Sequence, residues 1–240
     1  MHVACMLDSV KLYVEQVMPY VKAVEGKQPK SVLYTAEDGR KVVRSGGSRT
    51  WRNNNPGNME SRGGFASRLG AIGSAGGFAV FPDYATGRAA FSALLHGKRY
   101  IGLSIAKAIE RYAPPEGNDT AGYIRLVARF SGLSTDRKLA DLTPVEFESL
   151  LDAMERVEGW KVGTEQAVKR IVGALTDGQQ LTAFLIEGGS GYLSKSDAVR
   201  LAVHQEIDAI VVYRSRGEAY LRATPDQFVG NNLRAMAERV

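Results

Sequence analysis

Residues 51–58 read Trp-Arg-Asn-Asn-Asn-Pro-Gly-Asn, and the three consecutive asparagines are poor for any regular element. Each asparagine amide competes with the backbone for hydrogen bonds, and Pro56-Gly57 supplies a turn that breaks helix or strand. The segment therefore folds either as a flexible loop or as a rigid polar site. An amide is donor and acceptor at once, and the indole of Trp51 is a flat apolar face. Together they suit the hydroxyls, acetamido groups and ring faces of sugars. Carbohydrate is the first ligand class to weigh.

The chain has 240 residues, enough for one large domain or a medium domain with a small appendage. No apolar run approaches the roughly 20 residues of a transmembrane helix, so no membrane span is expected. Met1–Asp8 lacks a basic leader region and Asp8 interrupts its apolar stretch, which argues against a classical signal peptide. One cysteine, Cys5, excludes an internal disulfide, and His2, His96 and His204 show no metal-ligand spacing. Neither a metal nor a cofactor is expected. Between Gly39 and Gly70, seven basic residues (Arg40, Lys41, Arg44, Arg49, Arg52, Arg62, Arg68) face one acid, Glu60. Such a stretch is either a solvated face or a seat for an anion: nucleic acid, anionic lipid, or the carboxylates of peptidoglycan stems. No nucleic-acid motif accompanies it, which disfavours that partner.

Residues 8–25 carry Val10, Tyr13, Val14, Val17, Val21 and Val24 near helical spacing, with Pro19 as a kink or stop. Ser31–Val43 reads as a hairpin turning at Glu37-Asp38-Gly39, and Phe78–Phe81 as a short strand. Helices follow with caps at Thr86, at Ser104, at Asn118 or Thr120, and at Thr143, where Pro144 and Glu146 complete a capping box. A last helix is expected from Thr164 through Val168, Ile171, Val172 and Leu175. Composition changes near Asp177-Gly178, after which a strand (181–187), a helix capped by Ser194 and strands at 207–214 and 219–222 suggest a β-α-β-β unit.

Cleaving a glycosidic bond needs a proton donor at the leaving oxygen, and a carboxyl serves when burial holds its pKa near the working pH. A second carboxylate then assists water, or the sugar's own hydroxyl closes on the anomeric carbon. Glu158 fits the donor best. It lies seven residues after Leu151 and four after Met154, on their helix face, and Gly159-Trp160 ends the helix beside it. The alternative is a frayed C-terminal glutamate that turns to solvent or pairs with Arg156. Glu60, between Arg52 and Arg62, suits an electrostatic or water-orienting role, or is a solvated loop acid. Glu116 lies in Pro-Pro-Glu-Gly-Asn, at a cleft edge or in an exposed turn, and Glu25 ends the expected first helix. Trp51 and Trp160 offer stacking faces if they are not core, and Tyr112 shares a helical stripe with Ile105 and Ile109.

Residues 51–58, Gly-Ala-Ile-Gly (70–73), the run from Phe78 to Ala90, Tyr112-Ala-Pro-Pro with Asn118-Asp-Thr, and Glu158-Gly-Trp together resemble a lysozyme-like family. That family occurs among phage virion structural proteins and candidate type VI secretion effectors. The resemblance covers about residues 45–163 and implies a helical lysozyme-like domain acting on peptidoglycan glycan strands. In related glucosaminidases and lytic transglycosylases an Asn-Asn-X-X-Gly segment follows the catalytic glutamate, whereas here Glu158 follows the asparagines. The last 60 residues resemble a small family without assigned function, through Leu185–Gly189, Tyr192–Ser194, Tyr220–Arg222 and Asn231–Leu233.

The expected fold is therefore α+β, with an N-terminal helix and hairpin (1–44), a mostly helical lysozyme-like domain (45–176) and a β-α-β-β domain (177–240). The expected function is cleavage of peptidoglycan by a muramidase or lytic transglycosylase. Glu158 would be the proton donor. Asn53, Asn54, Asn55, Asn58 and Asn118 would hold hydroxyl and acetamido groups, with Arg52 on stem carboxylates. Made in the cytoplasm, the enzyme would reach the periplasm or wall through a virion or secretion apparatus, with a cognate immunity protein as a further partner. The alternatives are a non-catalytic wall-binding or assembly module that keeps the fold, and a nucleic-acid binder using residues 39–70.

Overall fold

The computed structural model describes residues 19–215, 217–224 and 232–239, and its fold is α+β. Cys5, His2 and most of the helix expected over 8–25 lie outside the described residues. The end of that stretch is strand β1 (Tyr20–Glu25), so the helical expectation fails there. Its valines recur at helical spacing, but β1 pairs antiparallel with β2 (Ser31–Ala36), Val24 standing opposite Leu33. Cross-strand pairing of β-branched residues outweighs the local period. The expected hairpin is β2 with β3 (Lys41–Ser45), and Gly39 takes φ +82° in its turn.

A short helix α1 (Arg49–Arg52), a 3-10 turn and α2 (Phe65–Arg68) lead to strands β4 (Gly73–Ala75) and β5 (Phe78–Val80). Four helices follow: α3 (Tyr84–His96), α4 (Ile105–Tyr112), α5 (Thr120–Ser131) and α6 (Pro144–Glu158). Ser104 and Thr143 cap as expected, the latter in a full capping box. Asp83 and Asp119 cap α3 and α5 in place of Thr86 and Asn118 or Thr120, because each carboxylate accepts the third backbone N–H after it. Phe147, Leu150, Leu151 and Met154 of α6 pack with Phe81, Phe91, Leu95, Ile109 and Val127 in the main core. Arg88 pins α3 to α6, reaching Glu148 at 2.8 Å, Asp152 at 2.6 Å and Glu155 at 2.9 Å.

The helix expected from Thr164 is absent. Those residues form β6 (Thr164–Val168) and β7 (Ile171–Thr176), which belong to different sheets. β6 pairs with β3 and completes a six-stranded sheet of order β5-β4-β1-β2-β3-β6, antiparallel except for β1 with β4. The N-terminal hairpin thus shares a sheet with segments of the helical body. β7 pairs with β8 (Leu181–Ile186), so the C-terminal unit starts at β7 and not at residue 177. That unit continues through β9 (Tyr192–Ser194), α7 (Lys195–Val203), β10 (Ile210–Tyr213), β11 (Ala219–Arg222) and β12 (Ala237–Arg239). It holds a four-stranded sheet, β12-β7-β8-β9, and a separate β10-β11 ribbon, which is more than the expected β-α-β-β. Phe184, Ala198, Ala202 and Leu221 centre its own core.

The Asn segment is held under α3 by close backbone approach. A Cβ built on Gly87 would lie 1.8 Å from the carbonyl oxygen of Asn54. Gly87→Ala is expected to cost about 3 kcal/mol through forced separation of α3 from that loop, read as a lowered thermal midpoint.

Candidate active site around Glu158

Asn53, Asn54 and Asn55 are 1%, 3% and 0% exposed, so none is available to a sugar. Their amides donate to main-chain carbonyls of neighbouring segments, among them Met59 O, which also accepts the Ala79 N–H. Asn53 Nδ2 donates to Ala75 O and Ala79 O, Asn54 Nδ2 to Phe81 O and Pro82 O, and Asn55 Nδ2 to Met59 O and Ala79 O. Asn55 Oδ1 accepts the Met59 N–H at 2.9 Å, and Asn54 Oδ1 accepts Arg44 Nη1 at 2.6 Å. The run is a rigid polar core. The substrate-binding role expected for these three is not met.

Arg52 is 9% exposed and its Nη1 donates to the carbonyls of Gly46 and Gly47, which also removes it as a carboxylate receptor. Trp51 is 7% exposed beneath the Arg44 guanidinium, 5.1 Å from its ring, and is a core residue. Arg44 also pairs with Glu165 at 2.6 Å. Elsewhere in the basic stretch, Arg40 pairs with Asp38, Lys41 with Asp208 and Arg62 with Glu60. Most of its charge has internal partners.

Asn58 is the exception in the run. It takes φ +49° at the end of the turn and sends Nδ2 to Glu158 Oε2 at 3.1 Å. Tyr123 of α5 donates its hydroxyl to the other carboxylate oxygen at 2.9 Å. The two residues are brought together by clamps at the end of α6. Gly159, at φ +80°, stops the helix and its carbonyl accepts Thr50 Oγ1. Ser48 N donates to Lys161 O at 2.8 Å, and Lys161 N donates to Ser48 Oγ at 3.0 Å. The start of α1 and the end of α6 are thereby fixed together. Arg49 of α1 donates Nε to Asn58 Oδ1 at 2.8 Å and lies 3.4 Å over the Phe78 ring. That bond sets the Asn58 amide so that its NH2 faces the carboxylate.

Glu158 is half-buried, and burial pushes its carboxyl above the ordinary range. The hydrogen bonds from Tyr123 and Asn58 and the charge of Arg49 act in the opposite direction without overcoming it. The last turn of α6, at the negative end of the helix dipole, disfavours the anion as well. Arg156, a conceivable partner, instead stacks 4.0 Å over Phe130. The Tyr112 hydroxyl is buried without a hydrogen-bond partner among the described residues, and its ring meets Tyr123 edge-on at 6.3 Å. The result is a partly accessible carboxyl that holds its proton more tightly than a solvated one.

Glu60 is exposed and 3.6 Å from Arg62, and it pairs in a bridge with Phe78, whose ring underlies Arg49. Glu116 is exposed and shares no hydrogen bond or ion pair with the Glu158 group. Glu25 lies on β1 and not on a helix, its carboxylate near Gly76 N. Asn118 is exposed and returns Nδ2 to Pro114 O at 2.9 Å. Trp160 is half-buried, edge-on to Tyr84 at 5.1 Å. Sequence reasoning missed Tyr123 and Arg49. Tyr123 reads as an ordinary core aromatic of α5, and Arg49 as one of seven loop cations.

Asn55→Ala is expected to lower stability by about 2–3 kcal/mol, since it strands the buried Met59 N–H that Asn55 Oδ1 accepts, whereas exposed Asn118→Ala should stay within about 0.5 kcal/mol. Urea unfolding reads both. For Glu158 the sign follows from its raised folded pKa. Its contribution to stability is full below the unfolded value, about 4.3, and is lost as pH rises through the folded one. Glu158→Gln should therefore melt higher than the parent at pH 7, with the difference closing below about pH 4.

A family described as a protein of unknown function (DUF3892) matches residues 148–236, which is less than half of the chain. The match begins within α6, takes in Glu158 and runs through most of the C-terminal unit. No curated protein and no solved structure matches the chain.

Proposed function

We propose that the protein cleaves glycan strands of peptidoglycan with Glu158 as general acid, on a domain of lysozyme-like character. The observation that carries this reading is the Glu158 carboxyl itself, raised by burial at a helix end yet half-accessible and oriented by Asn58 and Tyr123. A general acid needs that combination, because it must be protonated at the working pH and reach the leaving oxygen. The groups acting on Glu158 among the described residues are Tyr123, Asn58 and Arg49, with no second carboxylate. Such a site favours closure by the sugar's own hydroxyl over attack by a base-activated water, and so a transglycosylase-type product. Arg49 takes the role first expected of Arg52. Its guanidinium is at the site and, apart from Nε, has no hydrogen bond to the protein among the described residues, which suits a stem-peptide carboxylate.

This reading carries delivery to the periplasm by a virion or secretion apparatus, and an immunity protein in a producing cell. Among the described residues no helix is long and apolar enough to cross a membrane.

Purified peptidoglycan tests the reading. Soluble muropeptides should be released, ending in anhydro sugars and not in reducing ends, and Glu158→Gln should lose at least about a hundredfold in rate while remaining folded. Retention of full activity by Glu158→Gln removes the residue from the mechanism. Sedimentation with the wall without release by the parent assigns a binding module instead. Activity should fall as pH rises through the raised pKa. Because the Asn58 bond lowers that pKa, Asn58→Ala should move the alkaline limb to higher pH, as should Tyr123→Phe.

A further inference from the structure

The C-terminal unit holds a pocket of about 560 Å³ that plays no part in the Glu158 site. It lies where the turn before β8, the first residue of α7 and the β10-β11 ribbon meet the segment leading to β12. Its floor is apolar: Phe184, Leu221 and Leu233 are 1%, 5% and 5% exposed. Its walls carry Lys195, Arg214, Arg222 and Arg234, and no carboxylate is among the described residues lining it.

Four cations lining one pocket repel one another, and a surface serving solubility alone would intersperse both signs. Local counter-charges are weak. Glu218 approaches Arg214 only to 3.8 Å with both side chains largely exposed, and Lys195 is the last of the causes that lower the Asp177 carboxyl, after its backbone hydrogen bonds. Arg222 and Arg234 have no side-chain partner among the described residues, whereas Arg44, Arg88 and Arg137 all pair with carboxylates. Lys195 Nζ reaches only Gln180 Oε1, at 3.3 Å. As the first residue of α7, Lys195 also places the positive end of a helix dipole at the rim. Guanidinium forks fit the paired oxygens of phosphate, and several of them fit more than one such group. The volume falls within the range of about 300–1,000 Å³ typical of small-ligand sites, more than a lone phosphate requires. The Tyr220 ring, with Arg214 at 5.3 Å over it, adds a flat surface beside the cations.

We propose that this pocket binds a phosphorylated small molecule of nucleotide size, its di- or triphosphate held by Arg214, Arg222, Arg234 and Lys195 and its ring beside Tyr220. The inference is independent of the wall-cleaving reading.

Calorimetric titration of the full chain at about 150 mM salt tests it, with ADP, ATP, pyrophosphate, inorganic phosphate and citrate as probes. The nucleotides should bind most tightly, pyrophosphate next and inorganic phosphate weakly. Arg222→Ala and Arg234→Ala should each weaken ADP binding about tenfold or more, the loss of a charge-assisted hydrogen bond. Both residues are exposed, and circular dichroism checks that the variants fold. Arg200→Ala, outside the lining, should leave affinity unchanged, as should Glu158→Gln. Four results would overturn the proposal: no binding at millimolar nucleotide, equal binding by the arginine variants, citrate binding as tightly as ADP, or binding of a single-stranded oligonucleotide alone with steep salt dependence.

Discussion

The structure depends on the amides of Asn53, Asn54 and Asn55. A segment with left-handed backbone at Asn54 cannot pair its main chain as helix or strand, yet it is buried. Burial of unpaired main-chain groups would cost too much for a marginally stable domain. Turn bonds pair the N–H groups of Asn53, Asn54 and Asn55, and six amide donations to the carbonyls of Ala75, Ala79, Met59, Phe81 and Pro82 join the strands β4 and β5 to the loop. Arg44 extends the network to β3 and, through Glu165, to β6. Gly87 lets α3 close over it without a side chain in the way.

This rigid core fixes where the turn ends. Asn58 emerges from it in a left-handed conformation, held by Arg49 on one side and aimed at Glu158 on the other. The carboxyl is placed independently, by the packed face of α6 and by the clamp between Ser48 and Lys161. Two separate constraints thus converge on one titratable group. Its hydrogen bonds offset part of the burial cost but not all, and the remainder is stored as a raised pKa. Arg88, joining α3 to Glu148, Asp152 and Glu155, braces the helix that carries it.

The two segments misread as helices share one cause. In Thr164–Thr176 the apolar residues Val168, Ile171, Val172 and Leu175 fit a helical stripe, but the β-branched content suits strands equally. Pairing with β3 on one side and β8 on the other decides the matter, and both partners are distant in sequence. The same holds for Tyr20–Glu25. Elements whose ends carry local chemistry were legible: Ser104, Thr143 with Glu146, and Ser194 cap helices where their hydroxyls predict. Capping is decided within four residues, and strand pairing is not.

By itself the sequence determined that residues 53–58 could not be regular, that α6 begins at a capping box and ends at Gly159, and that Glu158 lies at helical spacing from Leu151 and Met154. These follow from bond-level preferences and helical period. Which asparagines are structural and which one meets the carboxyl was decided only by the tertiary structure. An amide serves a buried carbonyl and a sugar equally well, and only the packed surroundings show which is within reach. The same is true of the cationic pocket, whose four charged residues are separated along the chain and meet only through the folding of α7, β11 and the segment before β12.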